Sequence, residues 1–550
     1  MSHFLLKFYI FVIFLSEISR DGIVHAKRPH IIIMLGDDMG FNDVSYHAAS
    51  ECLTPNIDAI GYQGMILNRY YASDMCTPSR AALLTGRYPV NTGMQNFVIR
   101  NCEPFGLPLD LKILPEYLKE VGYRTHLVGK WHLGFCRKAF TPTKRGFDTF
   151  FGYYTGAIDY FTHLSPEPGT NVTGYDFRRN LDVTYEGEGV YSTYLFTNES
   201  LRIIRDHNPE EPLFLLTSYN SPHAAANFGT PLEAPQDEID KIYYVKNNET
   251  KIYAAMVAAM DRGIGQIVAE FSHKKMLSNS IVIFYSDNGV PEEGLFATVG
   301  SNYPFRGQKH SPWEGGLRVP AVLWSPWTLK QKVSENLIQN TDWMPTFLAL
   351  AGVKPTQPID GYNIWPTLTE NVPSPRYEII NNINPIEGWS SYYYKGWKYI
   401  NGTTSDGMFD EWYGTRAAYQ PFAGKYPEIV KSSLAWKALA PFSPRSLSNR
   451  RMRAMQQSTK VVCQPPVPYA TECKPLEAPC LFKINEDPCE INNVAAIYPF
   501  QTYLMHILVK RLEAQSRYPV SKPSDYEACD PRKFNGTYTW WVDLEDPMYQ

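Results

Sequence analysis

Beyond its first 26 residues, this 550-residue chain has no uninterrupted apolar run of the ~18 residues that a membrane-spanning helix needs. It lacks the phosphate-cradling loops of the common nucleotide folds: no Gly-Lys is followed by Ser or Thr, and no G-x-G-x-x-G occurs. It has no C-x-x-C pair, which leaves a zinc ribbon or a thioredoxin-type site unsupported. It has no excess of either charge. The 52 basic and 56 acidic residues give a net charge of −4, so there is no basic field for nucleic acid. An anionic substrate must then be met by local Lys, Arg and His. There is no internal repeat and no coiled-coil heptad. What remains is a globular composition, 44% hydrophobic and 20% charged. The length suits about two to four domains.

The N-terminus carries Lys7 and then a short apolar run, Phe8 to Leu15, followed by polar residues and Val24-His25-Ala26. That order predicts a signal peptide over 1–26, with cleavage near Ala26, and an entry into the secretory pathway. Sequons at Asn171, Asn198, Asn248, Asn401 and Asn535 agree with it.

The first two-thirds of the chain alternates short apolar strands with helical patterns, the signature of α/β architecture. His30 to Leu35, Arg124 to Val128, Leu213 to Thr217, Ile281 to Tyr285 and Val319 to Trp324 read as strands. Ile113 to Glu120 and Ile252 to Glu270 have helical spacing. Four of the strands run straight into charged or liganding residues: Asp37-Asp38, Lys130-Trp131-His132, Ser221-Pro222-His223 and Asp287-Asn288. In open α/β sheets that edge is where ligands bind. After about residue 375 the alternation weakens. Trp397 to Ile400 and Cys480 to Ile484 read as strands, and 405–475 is rich in Pro, Ser, Gly and arginine. The chain is accordingly divided into a catalytic domain, 27–375, and a smaller α+β domain with a long loop, 376–550.

Asp37, Asp38, Asp287 and Asn288 form an all-oxygen set suited to a hard cation, Ca²⁺ rather than Mg²⁺ because Ca²⁺ accepts irregular geometry. Each pair has a plainer reading. Asp-Asp after a strand caps a helix, and Asp-Asn-Gly makes a hairpin turn.

The densest signal is Cys76-Thr77-Pro78-Ser79-Arg80 followed by Thr85-Gly86-Arg87. This resembles the C-x-P-S-R and T-G-R signature of the formylglycine-dependent type I sulfatases. Gly129-Lys130-Trp131-His132-Leu133-Gly134 is similar to a second family segment. Arg306-Gly307-Gln308-Lys309 and Glu314-Gly315-Gly316-Leu317-Arg318-Val319-Pro320 are similar to two more.

The resemblance implies an alkaline-phosphatase-like core with a large mixed sheet flanked by helices. It implies that Cys76 is oxidised to formylglycine by a formylglycine-generating enzyme. The hydrated aldehyde is a diol. One hydroxyl attacks sulfur, and the other expels sulfate by re-forming the aldehyde, which splits one hard step into two easier ones. Pro78 fits the first turn of a helix. Residue 76 then sits at a helix N-terminus, where an anion is favoured, and Arg80 adds a fixed charge. The family's pattern places Asp37, Asp38, Asp287, Asn288 and residue 76 around one Ca²⁺. It assigns Lys130 and Lys309 to sulfate oxygens, His132 to a diol hydroxyl and His223 to sulfate and the leaving oxygen. Setting Cys76 aside, the other eight cysteines are an even number, which suits an oxidising compartment, with local bridges expected within Cys463 to Cys489.

Within the family, Arg87 to Gln95 and Thr141 to Tyr154 look like the branch of arylsulfatase B and its near paralogues. That implies removal of 4-sulfate from N-acetylgalactosamine of chondroitin or dermatan sulfate, in a lysosome or outside the cell. The balanced charge predicts no nucleic-acid partner, and the lack of a long apolar run predicts no membrane association after signal cleavage. A polyanionic glycosaminoglycan calls for a basic rim, and Arg145, Arg178, Arg179 and the arginines near 450 are the candidates. An ordinary imidazole at His223 would give greatest turnover at mildly acidic pH. Val290-Pro291 departs from the family, which usually has a second glycine there. Two rival readings are a phosphodiesterase or phosphonate hydrolase of the same superfamily, and a pseudo-sulfatase that only binds sulfated glycans.

Overall fold

The computed structural model describes residues 27–545, apart from 48–50, 228, 295, 415–421, 423 and 444–445. The expected signal peptide and Arg445 lie outside the described residues.

Ten strands form one mixed sheet. They are β1 (His30–Gly36), β2 (Met65–Leu67), β3 (Arg124–Lys130), β4 (Thr149–Tyr153), β5 (Arg178–Arg179), β6 (Asp182–Val183), β7 (Leu213–Ser218), β8 (Ser280–Ser286), β9 (Ala321–Trp324) and β10 (Lys332–Ser334). Their order across the sheet is β10-β2-β9-β8-β1-β7-β3-β4-β5-β6. The central run β8-β1-β7-β3-β4 is parallel, and β9 is antiparallel to β8.

β1 reads as a continuous apolar run because both of its faces are covered. Strand alternation sends Ile32 and Met34 into one core, with Ile57, Phe196 and Met260. Ile31, Ile33 and Leu35 go into the other, with Leu83, Leu114 and Phe347. Each such side chain contributes about 1.5–3 kcal/mol by leaving water.

On the second face lie α1 (Cys76–Thr85), α2 (Leu114–Glu120) and α3 (Trp343–Ala351). On the first lie the long helix Asn248–His273 and the helix Pro55–Gln63. Asp261 of the long helix accepts hydrogen bonds from the backbone N–H groups of Asn56 and Ile57, and so caps Pro55–Gln63. Residues 426–458, read from composition as part of a loop, form three helices on this same face: Tyr426–Ser432, Leu434–Leu439 and Asn449–Ser458. Val430, Leu439, Met452 and Met455 are buried there.

A four-stranded antiparallel sheet follows: β11 (Glu378–Asn384), β12 (Trp389–Tyr394), β13 (Trp397–Asn401) and β14 (Cys480–Lys483). Bridges Cys463–Cys489 and Cys473–Cys480 fall inside the expected C-terminal cluster, and Cys102–Cys529 ties the chain's end to the catalytic half. Cys136 stands outside these bridges, and its buried thiol donates to Phe105 O. No helix among the described residues is long and apolar enough to cross a membrane.

Candidate active site

The parallel register aligns the ends of four neighbouring strands. Gly36 pairs with Ser286, Leu35 with Ser218, and Ser218 with Gly129. The next residues, Asp37, Asp287 and Lys130, therefore leave the sheet at one level. Gly129 has φ 101°, and a Cβ there would lie 1.9 Å from Ser218 O, so only glycine lets β3 deliver Lys130 so close to β7. Gly289 is equally confined, because its Cβ would meet Gly315 O at 1.9 Å.

α1 brings Cys76 to this edge from the second face. The helix begins at Cys76 with Pro78 in its first turn, as the sequence implied, and ends at left-handed Gly86. The Cys76 Sγ lies 3.6 Å from Asp37 Oδ1, 3.8 Å from Asp38 Oδ1 and 3.3 Å from Lys309 Nζ. Arg80, one turn further on, donates to Asp287 Oδ2 at 2.7 Å.

The floor of the site is a lattice of charges. Lys130 Nζ donates to both oxygens of Asp37 at 2.8 and 3.0 Å, and Lys309 Nζ to both oxygens of Asp38 at 2.6 and 2.7 Å. His223 Nε2 is 3.4 Å from Asp38. Asp287 Oδ1 accepts the Asp38 N–H at 3.2 Å, and Asn288 Nδ2 donates to Asp38 Oδ1 at 2.6 Å. All ten residues expected at the site are buried, and all except His132 are joined by these contacts.

Burial pushes the carboxyls of Asp37 and Asp38 up, but their cations outweigh it. Lys130, His223 and Arg80 hold Asp37 below the usual carboxylate range, and Lys309 and His223 do the same for Asp38. Asp287 goes the other way, raised by burial and by Asp37. Burial drives the Cys76 thiol far above its ordinary range despite Lys130 and Lys309. An unmodified thiol at this position is a poor nucleophile.

His132 lies beside Cys76 in the cleft wall, with φ 56°. Its Nε2 bonds to Ile99 O at 3.0 Å, and burial with Lys130 and Arg80 nearby keeps the ring neutral. An Nε2–H donor leaves Nδ1 as a bare acceptor, and Nδ1 is buried with no protein partner. His223 also has its pKa lowered by burial, although Asp38 and Asp37 pull it up. The acid form expected from an ordinary imidazole is thus displaced to lower pH.

The donor set fits a hard cation. Three carboxylates and one amide converge in a space with almost no solvent, and Asn288 Oδ1 is a buried oxygen with no hydrogen-bond partner. With three carboxylates against Arg80, Lys130 and Lys309, the lattice is neutral as it stands. Asp37, Asp38, Cys76 and His223 also place ligand atoms within 4.8 Å of one another.

Above the floor opens a cleft of about 280 Å³. Among the described residues, none of the arginines expected at its rim lines it. Arg145 is buried against Leu107 O and Leu111 O. Arg178 donates to Leu181 O and Tyr538 O, and Arg179 pairs with Glu186 and Glu199. Arg451 lines a separate groove with Lys330 and Lys332. The residues that do border the cleft include Phe97, Arg100, Phe296, His310 and Phe409. His310, next to Lys309, was legible by adjacency. The phenylalanines carried no sequence signal.

With this geometry in place, comparison with known proteins is direct. The sulfatase family model matches residues 29–353, and the chain belongs to the sulfatase family. Its fold is the alkaline-phosphatase-like fold of that family. It is 43% identical over 377 residues to arylsulfatase J of Mus musculus, covering 68% of this chain and 61% of that protein. It is 33% identical over 383 residues to N-acetylgalactosamine-6-sulfatase of Rattus norvegicus, covering 65% of this chain and 69% of that protein. Among solved structures, it is similar to the crystal structure of Ps i-CgsB in complex with k-i-k-neocarrahexaose. That match has a TM-score of 0.68 and 25% identity, over 92% of this chain and 97% of the other.

Proposed function

We propose that this chain hydrolyses sulfuric esters, with residue 76 as formylglycine and one Ca²⁺ held by Asp37, Asp38, Asp287 and Asn288, with residue 76 at its edge. The observation that carries the reading is the meeting of Cys76, at the start of α1, with Asp37, Asp38 and Lys309 at the strand ends. Formylglycine would supply a hydrated aldehyde as nucleophile and re-formable leaving site, and Ca²⁺ would supply Lewis-acid polarisation of a sulfate oxygen.

The chain's own residues do the rest. Lys309 and Lys130 present fixed cations where charge builds on the transferring sulfuryl group. The bare Nδ1 of His132 accepts a proton from a hydroxyl at position 76. His223 Nε2 gives a proton to the leaving oxygen. Arg80 holds Asp287 in place through its 2.7 Å contact. Residues 27–375 form the catalytic part in this reading, and 376–550 the smaller domain.

For the leaving group, the reading is a sulfated N-acetylgalactosamine, with the 4-sulfate drawn from the sequence resemblance. The 33% identity to an N-acetylgalactosamine-6-sulfatase favours the 6-position as the second reading. The chain is taken to pass through the secretory pathway, where a formylglycine-generating enzyme would act on it, and to reach a lysosome or the outside of the cell. The test is sulfate release from 4-sulfated and 6-sulfated N-acetylgalactosamine by protein made in a eukaryotic secretory system. Preference for the 4-sulfate supports the first reading and preference for the 6-sulfate the second. Binding without release would favour a pseudo-sulfatase.

A further inference from the structure

A buried cluster of charge outside the active site takes no part in the mechanism. Lys398 of β13 is fully buried with Glu314 and Glu490. Its Nζ donates to Glu314 Oε1 at 2.9 Å and stands 2.7 Å from Glu490 Oε1. Glu490 Oε2 accepts the Glu314 N–H at 2.8 Å, and the Tyr71 hydroxyl donates to Glu314 Oε2 at 2.6 Å. Burial would lower the pKa of Lys398, but the two carboxylates outweigh it and keep the ammonium charged. Removing one member of such a set leaves a buried charge uncompensated, so the three groups depend on one another.

They come from three parts of the chain. Glu314 opens the short helix Glu314–Leu317, Lys398 lies in the four-stranded sheet, and Glu490 follows β14. Glu490 comes directly after Cys489, which is bridged to Cys463, and it has φ 58°. A residue of this size stays in the left-handed region only where its surroundings fix it.

Glu314 anchors a spacer between two parts of the active site. A Cβ on Gly315 would lie 2.2 Å from Gly307 O, and one on Gly316 would lie 2.5 Å from Gln308 O. Gly289 donates its N–H to Gly316 O at 3.0 Å, and its own Cβ would meet Gly315 O. The Gly315-Gly316 pair therefore touches the backbone just before Lys309 and the backbone just after Asn288, an approach that side chains would block. The Lys309 N–H donates to Val290 O at 3.3 Å and closes the circuit.

The C-terminal part of the chain grips the start of the same loop as well. The Arg306 guanidinium lies over the Trp313 and Trp412 rings, 3.7 and 4.4 Å from their centroids. The Gly307 N–H donates to Glu411 O at 2.9 Å.

From the buried ion cluster, its span across the chain and the glycine spacer, we infer that Lys398 is a positioning residue for sulfuryl transfer. By fixing Glu314 and Glu490, it sets the spacing between Asn288 at the metal and Lys309 at the sulfate. It acts through Glu314 and the Gly315-Gly316 pair. This rests on the sulfatase reading and adds the four-stranded sheet to the parts on which catalysis depends.

The test uses the full chain from a eukaryotic secretory system, with 4-methylumbelliferyl sulfate as substrate and hydrogen exchange read by mass spectrometry. Lys398→Met should lower kcat by about 10- to 100-fold, the scale of a displaced catalytic group, with KM nearly unchanged. Peptides covering 306–316 should exchange faster than in the parent, while the β1 peptide keeps its protection. Because Lys398 acts through the group it positions, the loss in a Lys309→Met, Lys398→Met double variant should fall well short of the product of the single losses. If Lys398→Met is not secreted, Glu490→Gln is the variant to read. It keeps an oxygen for the Glu314 N–H, drops one charge beside Lys398 and should give a smaller loss of the same kind. Unchanged kcat with unchanged exchange at 306–316 overturns the inference. Losses that multiply in the double variant, with faster exchange throughout the chain, overturn it too, because Lys398 would then serve only general stability. An inactive parent enzyme would remove the hydrolase reading, while exchange at 306–316 still judges whether Lys398 holds this loop.

Discussion

Lys309 Nζ stands 3.3 Å from Cys76 Sγ while donating to both oxygens of Asp38 at 2.6 and 2.7 Å. One ammonium group thus joins the start of α1 to the end of β1. Burial would lower its pKa, but Asp38 and the groups around it reverse that and hold the lysine charged. Lys309→Ala removes the cation facing the reacting group and leaves the Asp38 carboxylate short of a partner. We expect kcat to fall by about 10²–10³-fold, the scale of losing one preorganised electrostatic contact. Lys309→Met should show the same loss with less effect on folding. Steady-state kinetics on any turned-over ester checks it, and a loss confined to KM would move Lys309 out of the transition state.

The orphan oxygen of Asn288 carries the metal prediction. Asn288→Leu should weaken Ca²⁺ retention and activity while Asp37 and Asp38 keep their lysine partners. Asp287→Ala should do more, because it also takes from buried Arg80 its nearer carboxylate and leaves Asp37 at 3.5 Å as the other. Metal analysis of the purified variants decides it. Stoichiometric zinc without calcium in the parent protein would refute the assignment.

Two buried carboxyls, Asp261 and Asp58, make a contribution to stability that falls as pH rises from acid to neutral. Burial lifts Asp261 to about 7 and Asp58 to about 6, and the hydrogen bonds they accept only partly offset it. Both folded pKa values exceed the unfolded one, so the folded state holds more protons between them. The contribution is full below the unfolded carboxylate range and is lost as pH climbs through about 6 to 7. Each group adds a slope on the order of 1.4 kcal/mol per pH unit in that window. The melting temperature of Asp261→Asn should rise relative to the parent between about pH 5 and pH 8, because only the parent loses this contribution. A difference that does not change with pH would show that Asp261 ionises freely in the fold.

The Cys102–Cys529 bridge spans 427 residues and fastens the chain's end to the catalytic half. Replacing both cysteines by alanine should cost about 2–5 kcal/mol. Denaturation under non-reducing conditions measures it. Full stability without the bridge would mean that the buried contacts of Tyr538 and Trp541 alone hold the terminus.

The parts that the sequence made legible share one property: their signal is local. A run such as His30 to Leu35 can only be a strand covered on both faces, and residues just past such strands land on one edge. Cys76-Thr77-Pro78 announces a helix start without any tertiary knowledge. What was illegible depended on partners far along the chain. Arg145 and Arg178 look like surface charges until distant carbonyls are seen to absorb them. The helices of 426–458 are short, and their apolar positions make sense only against Pro55–Gln63 and Asn248–His273. Phe97 and Phe409 come together only in the fold, where His310 stands between their rings at 4.9 and 6.2 Å.

The most direct test of the account is mass spectrometry of the peptide containing residue 76, taken from full-length protein secreted by eukaryotic cells and paired with sulfate release by the same sample. The account predicts formylglycine at residue 76 in active material, and no release from Cys76→Ala secreted at a comparable level. An intact cysteine in protein that releases sulfate at an undiminished rate would contradict it.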